Sequence, residues 1–125
     1  MNTTAQTLEA LYTVGHSLLE RDRPRDAIAL FRTMLLVDAR DERGWLALAT
    51  CHERLDEPEK AIVLCELAPS ACGDSARCAI ARARLHRALG AHDAAHEAYG
   101  EALRLADAEV DRELAALIAH ESVSS

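Results

Sequence analysis

The chain has 125 residues, half of them apolar and 28% charged, with a formal net charge of -7. That length suits one domain with a single core. The acidity has the wrong sign for nucleic acid or an anionic membrane surface, both of which need a basic face. Only Tyr12, Phe31, Trp45 and Tyr99 are aromatic, while alanine and leucine dominate. Such a composition favours closely approaching helices, because Ala and Leu lose little on entering a helix and β-branched residues are scarce.

The first nine residues, Met1 to Glu9, show no basic region followed by an apolar run, so no secretory signal is expected. No stretch approaches the roughly eighteen consecutive apolar residues of a membrane span. In step with a 34-residue repeat, helix pairs are expected over 5–20 with 24–37, 41–55 with 58–68, and 75–89 with 92–106. Pro24 and Pro58 fall in the first turn of a second helix, where the missing N–H is not needed. Asp22 and Asp56, just before them, read as N-caps or turn residues. Pro69 is expected to end the fourth helix and leave 69–74 as the longest internal loop. Gly90 takes the position just past the end of the fifth helix. Beyond Asp107, Val110, Leu114, Leu117 and Ile118 recur at helical spacing, with Asp111, Arg112, Glu113 and Glu121 facing water. They predict an amphipathic seventh helix that covers the last hairpin. The terminal Ser122–Ser125 stretch is expected to fray.

The organising feature is self-similarity. Asp22, Pro24, Ala27 and Ile28 recur as Asp56, Pro58, Ala61 and Ile62, each 34 positions on. A further 34 reaches Gly90, His92, Ala95 and His96, where the alanine alone is kept. A longer pattern shares the register. It reads Leu11-x2-Val14-Gly15-x2-Leu18 then Ala27-x3-Phe31, next Trp45-x2-Leu48-Ala49-x2-His52 then Ala61-x3-Cys65, and last Ala79-x2-Arg82-Ala83-x2-His86 then Ala95-x3-Tyr99. This resembles the tetratricopeptide repeat, W-x2-L-G-x2-Y followed by A-x3-F and P. The closing proline is replaced by Ala39, Gly73 and Asp107, and Arg82 stands where an apolar residue belongs. The implied fold class is all-α: three tetratricopeptide helix-turn-helix repeats, about 8–41, 42–75 and 76–109, plus a capping helix over 110–121. Together they make an α-solenoid in a single domain, 1–125. Small residues at 15, 49 and 83, and at 27, 61 and 95, fall where paired helices come closest.

Chemistry is not signalled. There is no Gly-rich phosphate loop, nucleophile elbow or His-Glu-x-x-His motif, so no enzyme, cofactor or metal is expected. His52 and His86 share one repeat position, normally a tyrosine, and read as partly buried replacements without the ligand set zinc requires. The cysteines at 51, 65, 72 and 78 form no Cys-x-x-Cys pair and read as reduced thiols, with Cys65 in the core.

In solenoids of this kind the first helix of each hairpin lines the concave face. Its inward positions are Tyr12, His16 and Leu19, then Leu46, Ala47, Thr50 and Glu53, then Arg77, Ile80, Ala81, Arg84 and Arg87. We take Tyr12, His16, Leu19, Leu46, Ala47, Thr50, Arg77, Ile80 and Arg84 as the candidate peptide-binding residues. Tyr12, Leu46 and Ile80 suit pockets for aliphatic or proline side chains, and the arginines suit carboxylates or carbonyls of a peptide. The carboxylate-clamp repeats that grip heat-shock chaperones carry Lys and Asn at such positions. Tyr12, His16, Ala47, Arg77 and Ala81 stand there instead, and Arg77 alone has suitable charge, so that function is not expected.

Residues 11–65 carry a closer resemblance. Leu11-Tyr12…Gly15, Ala27…Phe31…Leu35-Leu36-Val37-Asp38 and Gly44-Trp45-Leu46-Ala47-Leu48-Ala49…Cys51 are similar to class II chaperones of bacterial type III secretion systems. Those proteins have a Tyr-rich first helix, an F-x-x-L-x-x-L-D second helix and a W-L-G-L-G-x-C third helix. Met34 and Val37 replace two leucines here, and Ala47 and Ala49 replace the glycines. The resemblance implies a cytoplasmic bacterial chaperone that grips a short, extended, proline-containing segment of a hydrophobic translocator or export component. The expected partner is therefore a protein client, with no nucleic acid and no membrane. Family members carry a longer helical extension used in dimerisation, whereas about seven residues precede the first repeat here, so dimerisation by that route is not expected, and the smaller tetratricopeptide chaperones of other export components stay open, as homodimer or heterocomplex. The alternative is a tetratricopeptide scaffold or adaptor in another bacterial assembly.

Overall fold

A computed structural model of the chain describes residues 3–123, which form seven α-helices and no strand among them. In chain order these are α1 (Thr4–Glu20), α2 (Pro24–Val37), α3 (Glu42–Arg54), α4 (Pro58–Cys72), α5 (Ala76–Ala88), α6 (His92–Ala108) and α7 (Arg112–Val123). They gather into two compact units, Met1–Leu64 and Cys65–Ser125. No helix among the described residues is long and apolar enough to cross a membrane.

In the first unit α1 starts with a capping box. The Thr3 hydroxyl accepts from the Gln6 N–H at 3.1 Å, and the Gln6 side chain accepts from the Thr3 N–H at 2.7 Å. Leu8, Leu11, Gly15 and Leu19 then recur at helical spacing and turn onto α2, whose Ala27, Phe31 and Met34 are wholly buried. Gly15 sets the spacing of this hairpin. A Cβ there would lie 2.6 Å from the Phe31 ring, which has no exposed surface and nowhere to withdraw. Leu48 and Cys51 of α3 complete the cluster, with Leu64 of α4 packed against it. Gly44 at the start of α3 lets Leu35 of α2 approach to 3.0 Å of its would-be Cβ. The half-buried Trp45 donates from Nε1 to the Ala39 carbonyl at 2.8 Å, tying the α2–α3 turn to α3.

The 34-residue register reappears in the turns, and in a different role from one of those expected. Asp22, Asp56 and Gly90 all have positive φ, at 58°, 59° and 76°. Each follows the C-cap of a first helix, and the next residue donates back across it. Arg23 reaches the Leu18 carbonyl at 2.9 Å, Glu57 reaches His52 at 2.8 Å, and Ala91 reaches His86 at 2.9 Å. This is the Schellman arrangement. The aspartates are therefore left-handed turn residues rather than N-caps, because the short polar side chain tolerates that backbone better than most. Arg23 and Ala91 precede α2 and α6 without any side-chain cap.

The fourth helix departs from expectation. It continues through Pro69 to Cys72 and ends at Gly73, which has φ 80° and donates to the Pro69 carbonyl at 2.9 Å. Proline removes a single N–H and its fixed φ is helical, so one more turn forms and the expected loop over 69–74 shrinks to the residues after Cys72.

The second unit is built on alanine. Ala76, Ala79 and Ala83 of α5 face Ala95, Ala98, Ala102 and Ala106 of α6, with Ile80, Tyr99 and Ile118 as the large members. Ser75 caps α5 by accepting from the Cys78 N–H at 3.1 Å, and Asp111 caps α7 through the Leu114 N–H at 3.0 Å. That cap starts the last helix two residues later than expected. It leaves Val110 outside, at φ 58° and 75% exposed rather than on an apolar face. Leu117 is also about half exposed, and Ile118 alone is fully buried. The last helix runs through Ser122 and Val123, so the helix extends into the stretch expected to fray, while Ser124 and Ser125 lie outside the described residues. Arg82, the charge at an apolar repeat position, is accommodated by an ion pair with Glu101 of α6.

Two glycines test this packing with opposite signs. Gly15→Ala is expected to lose about 1 kcal/mol or more in urea denaturation, since overpacking outweighs the helix-propensity gain. At Gly100 an added Cβ meets only the end of the Arg104 side chain, at 3.7 Å. Gly100→Ala should gain about 0.5–1 kcal/mol. A stabilising Gly15→Ala would refute the close approach.

Candidate functional site

In the first unit the candidate residues lie on α1 and α3. Tyr12 is half-buried, with Phe31 tilted against it at 6.2 Å between ring centroids and His16 stacked at 5.9 Å. Its ring also lies 4.8 Å from the Arg43 guanidinium carbon. His16 is exposed and bonds Glu20 one turn on, at 3.0 Å. Leu46 and Ala47 are half-buried, and Ala47 packs against the first core. The Thr50 hydroxyl donates to the Leu46 carbonyl at 3.0 Å, which leaves its oxygen able to accept. Leu19 is a correction. At 5% exposure it belongs to the core, because it continues the stripe of Leu8, Leu11 and Gly15 toward α2.

The second unit uses its candidates differently. Ile80, 4% exposed, lies in the alanine core with Ala76, Ala79 and Ala83 and offers no open pocket. Arg77 is largely exposed, 4.0 Å from Asp111. Arg84 is already engaged: its Nε and Nη2 each lie 2.9 Å from a Glu121 oxygen, a two-pronged grip. Tyr99 donates its hydroxyl to the same carboxylate at 2.9 Å, and Arg87 reaches the Glu121 carbonyl while lying over the Tyr99 ring. The basic side chains expected to hold a peptide thus fasten α7 to α5 and α6. Glu121, expected to face water, is the carboxylate they hold.

These contacts bias the ionisation of Glu121 and Tyr99. The Arg84 hydrogen bonds, then that of Tyr99, hold the Glu121 carboxyl below the usual glutamate range against the opposing effect of burial. Burial, with the adjacent carboxylate, pushes the Tyr99 phenol up. Desolvation raises the Cys51 thiol to about 11, so it is a packing group rather than a nucleophile. Cys51, Cys65 and Cys78 are buried and Cys72 is half-buried. His52 is 8% exposed and bonds Glu57 through Nδ1 at 3.1 Å. Among the described residues no group of three or more His, Cys, Asp or Glu is placed to hold a metal.

Sequence reasoning missed Arg43, Glu9 and Glu121. Arg43 bridges Glu9 of α1, at 2.7 Å, and Asp41, at 2.8 Å. The Asp41–Arg43 spacing at a helix start was a usable signal. Glu121 pairs with residues far back in the chain and left none.

Paired helices, left-handed turns at 34-residue spacing and small residues at the closest approaches define the tetratricopeptide hairpin. The tetratricopeptide repeat family model matches residues 18–85, and the chain belongs to that family. No curated protein sequence matches it significantly. Solved structures do. PcrH from Pseudomonas aeruginosa is 26% identical with a TM-score of 0.84, over 98% of this chain and 94% of that one. PcrH in complex with the chaperone binding region of PopB is 28% identical with a TM-score of 0.79, over 91% and 93%. The type III secretion translocator chaperone SycD of Yersinia enterocolitica shares the fold, with a TM-score of 0.87 at 18% identity over 98% and 92%.

The Glu121 clasp should be measurable. Glu121→Gln is expected to cost about 1 kcal/mol at neutral pH, modest because Arg84 stays partly in water. A carboxyl held low contributes stability that is complete above the ordinary glutamate value. That contribution declines as pH falls through the folded one. The melting-temperature gap between parent and variant should therefore close in acid; a constant gap would place the stabilisation elsewhere.

Proposed function

We propose that this protein is a non-enzymatic chaperone of the type III secretion kind. It binds an extended segment of a secreted, translocator-like protein client in the bacterial cytoplasm before export. The single observation carrying this is the likeness to PcrH bound to the chaperone binding region of PopB, over nine-tenths of both chains. The residues of the first unit agree with it. Tyr12, Leu46 and Ala47 present apolar surface beside the hydroxyl of Tyr12 and the accepting oxygen of Thr50. An extended peptide needs that combination: apolar contact for its side chains and polar partners for its backbone. His16 contributes a further aromatic face next to Tyr12. In the second unit Arg77 is the candidate contact, since Arg84 holds Glu121 and Ile80 is core.

Anchors of this type carry most of a binding energy. Tyr12→Ala and Leu46→Ala should each weaken client binding by roughly 1–3 kcal/mol, with smaller losses of folding stability because both side chains are only half-buried. Arg32→Ala, on an exposed part of α2, should change little. The measurement is affinity capture from the native cell with mass spectrometry, then calorimetry on the captured pair. Retention of the client by both groove variants, with loss in Arg32→Ala, would move the binding surface elsewhere.

A further inference from the structure

The first unit contains an ionic frame around Tyr12 that packing alone does not require. Glu9 precedes Tyr12 by one turn on α1 and places a carboxylate oxygen 2.7 Å from Arg43 Nη1. Asp41 holds the other side of the same guanidinium, accepting from Arg43 Nε at 3.1 Å and from Nη2 at 2.8 Å. Asp41 is itself immobilised as the N-cap of α3, accepting the Arg43 backbone N–H at 3.1 Å. The guanidinium is therefore fixed from two helices, and it sits 4.8 Å from the Tyr12 ring centroid. Phe31 and His16 bound the ring on other sides.

One group in this frame is left over. The Tyr12 hydroxyl has no hydrogen-bond partner among the described residues, although the ring that carries it is held by three neighbours. A phenol whose ring is fixed and whose O–H is unspent is a donor oriented in advance. Fixing it before association reduces the ordering cost of binding. A planar guanidinium suits this task because it stacks on an aromatic face while its edge bonds two carboxylates, and an ammonium cannot do both.

Resting on the peptide-binding reading, we infer that Arg43 is a positioning residue. Clamped by Glu9 and Asp41, it holds the Tyr12 ring so that the phenolic hydroxyl donates to a backbone carbonyl of an extended client segment. Arg43 need not touch that segment. A purely structural ion pair would stabilise the α1–α3 junction without affecting how the ring is held or what the hydroxyl does.

Two readouts separate these. The chain has only two tyrosines, so ring-labelled tyrosine NMR reports Tyr12 with Tyr99 as an internal control. Arg43→Met should shift and average the Tyr12 ring signals while those of Tyr99 stay in place, and Arg43→Lys should not restore them. For binding, a synthetic peptide of the PopB chaperone binding region is titrated against the full chain, followed by the fluorescence of its one tryptophan, Trp45. Arg43→Met and Tyr12→Phe should each weaken the peptide about five- to tenfold. The double variant should lose little more than either, because both changes remove one interaction. Unchanged Tyr12 signals in Arg43→Met, or losses that simply add, would overturn the assignment. A parent chain that fails to bind this peptide would instead count against the peptide-binding reading, and the ring spectra would still decide whether Arg43 holds Tyr12.

Discussion

The Phe31 ring occupies the space that a side chain on residue 15 would need, and much of the first unit depends on that closeness. With the two helices this near, Ala27 is sealed, Leu8 and Leu19 face inward, and Tyr12 is left half-buried at the edge of the core. Ala83 and Ala95 hold the matching repeat positions in the second unit, and there the principle extends to a whole seam of alanines. Such seams gain little area per residue. They gain dispersion and density instead, because backbones rather than long side chains come into contact.

What was legible in the sequence follows from where the governing interactions lie. The helices and the small-residue register were readable because they are local, or recur 34 positions on. The ends were less so. Asp22 and Asp56 carry the same letters whether they cap the helix that follows or close the one before, and only the backbone angle distinguishes the two. Pro69 signals a break, yet a proline one turn from a helix end removes too little to enforce one. Among the site residues, Tyr12, Leu46, Ala47 and Thr50 lie on partly open faces of α1 and α3. Leu19 and Ile80 were misjudged because a helix stripe next to a groove and one inside a core have the same period. The engagement of Arg84 was illegible for a different reason. Its partner, Glu121, is 37 residues away on a helix whose docking no local pattern specifies.

The two units divide their charged groups unequally. In the first, Arg43, Glu9 and Asp41 surround a ring that remains partly accessible. In the second, Arg84, Arg87 and Tyr99 converge on a carboxylate of the chain itself. Similar chemistry, an arginine and a tyrosine in contact with a carboxylate nearby, thus frames an open surface in one place and fastens a terminal helix in the other. A basic residue at an inner repeat position is therefore weak ground for assigning a ligand until the last helix has been placed.

The spans of these contacts also bear on the order in which the chain becomes structured. The hairpins join neighbouring segments, and loop closure over so few residues is fast. Completing the second unit is different in kind. The Arg84–Glu121 grip spans 37 residues, and the bond from the Ala76 N–H to Glu109 spans 33. During synthesis the α5–α6 hairpin can pair before α7 exists, leaving the surface that Ile118 will cover exposed until α7 has been made. In a nascent chain this alanine-lined hairpin is thus open to wrong partners, and its protection arrives with α7.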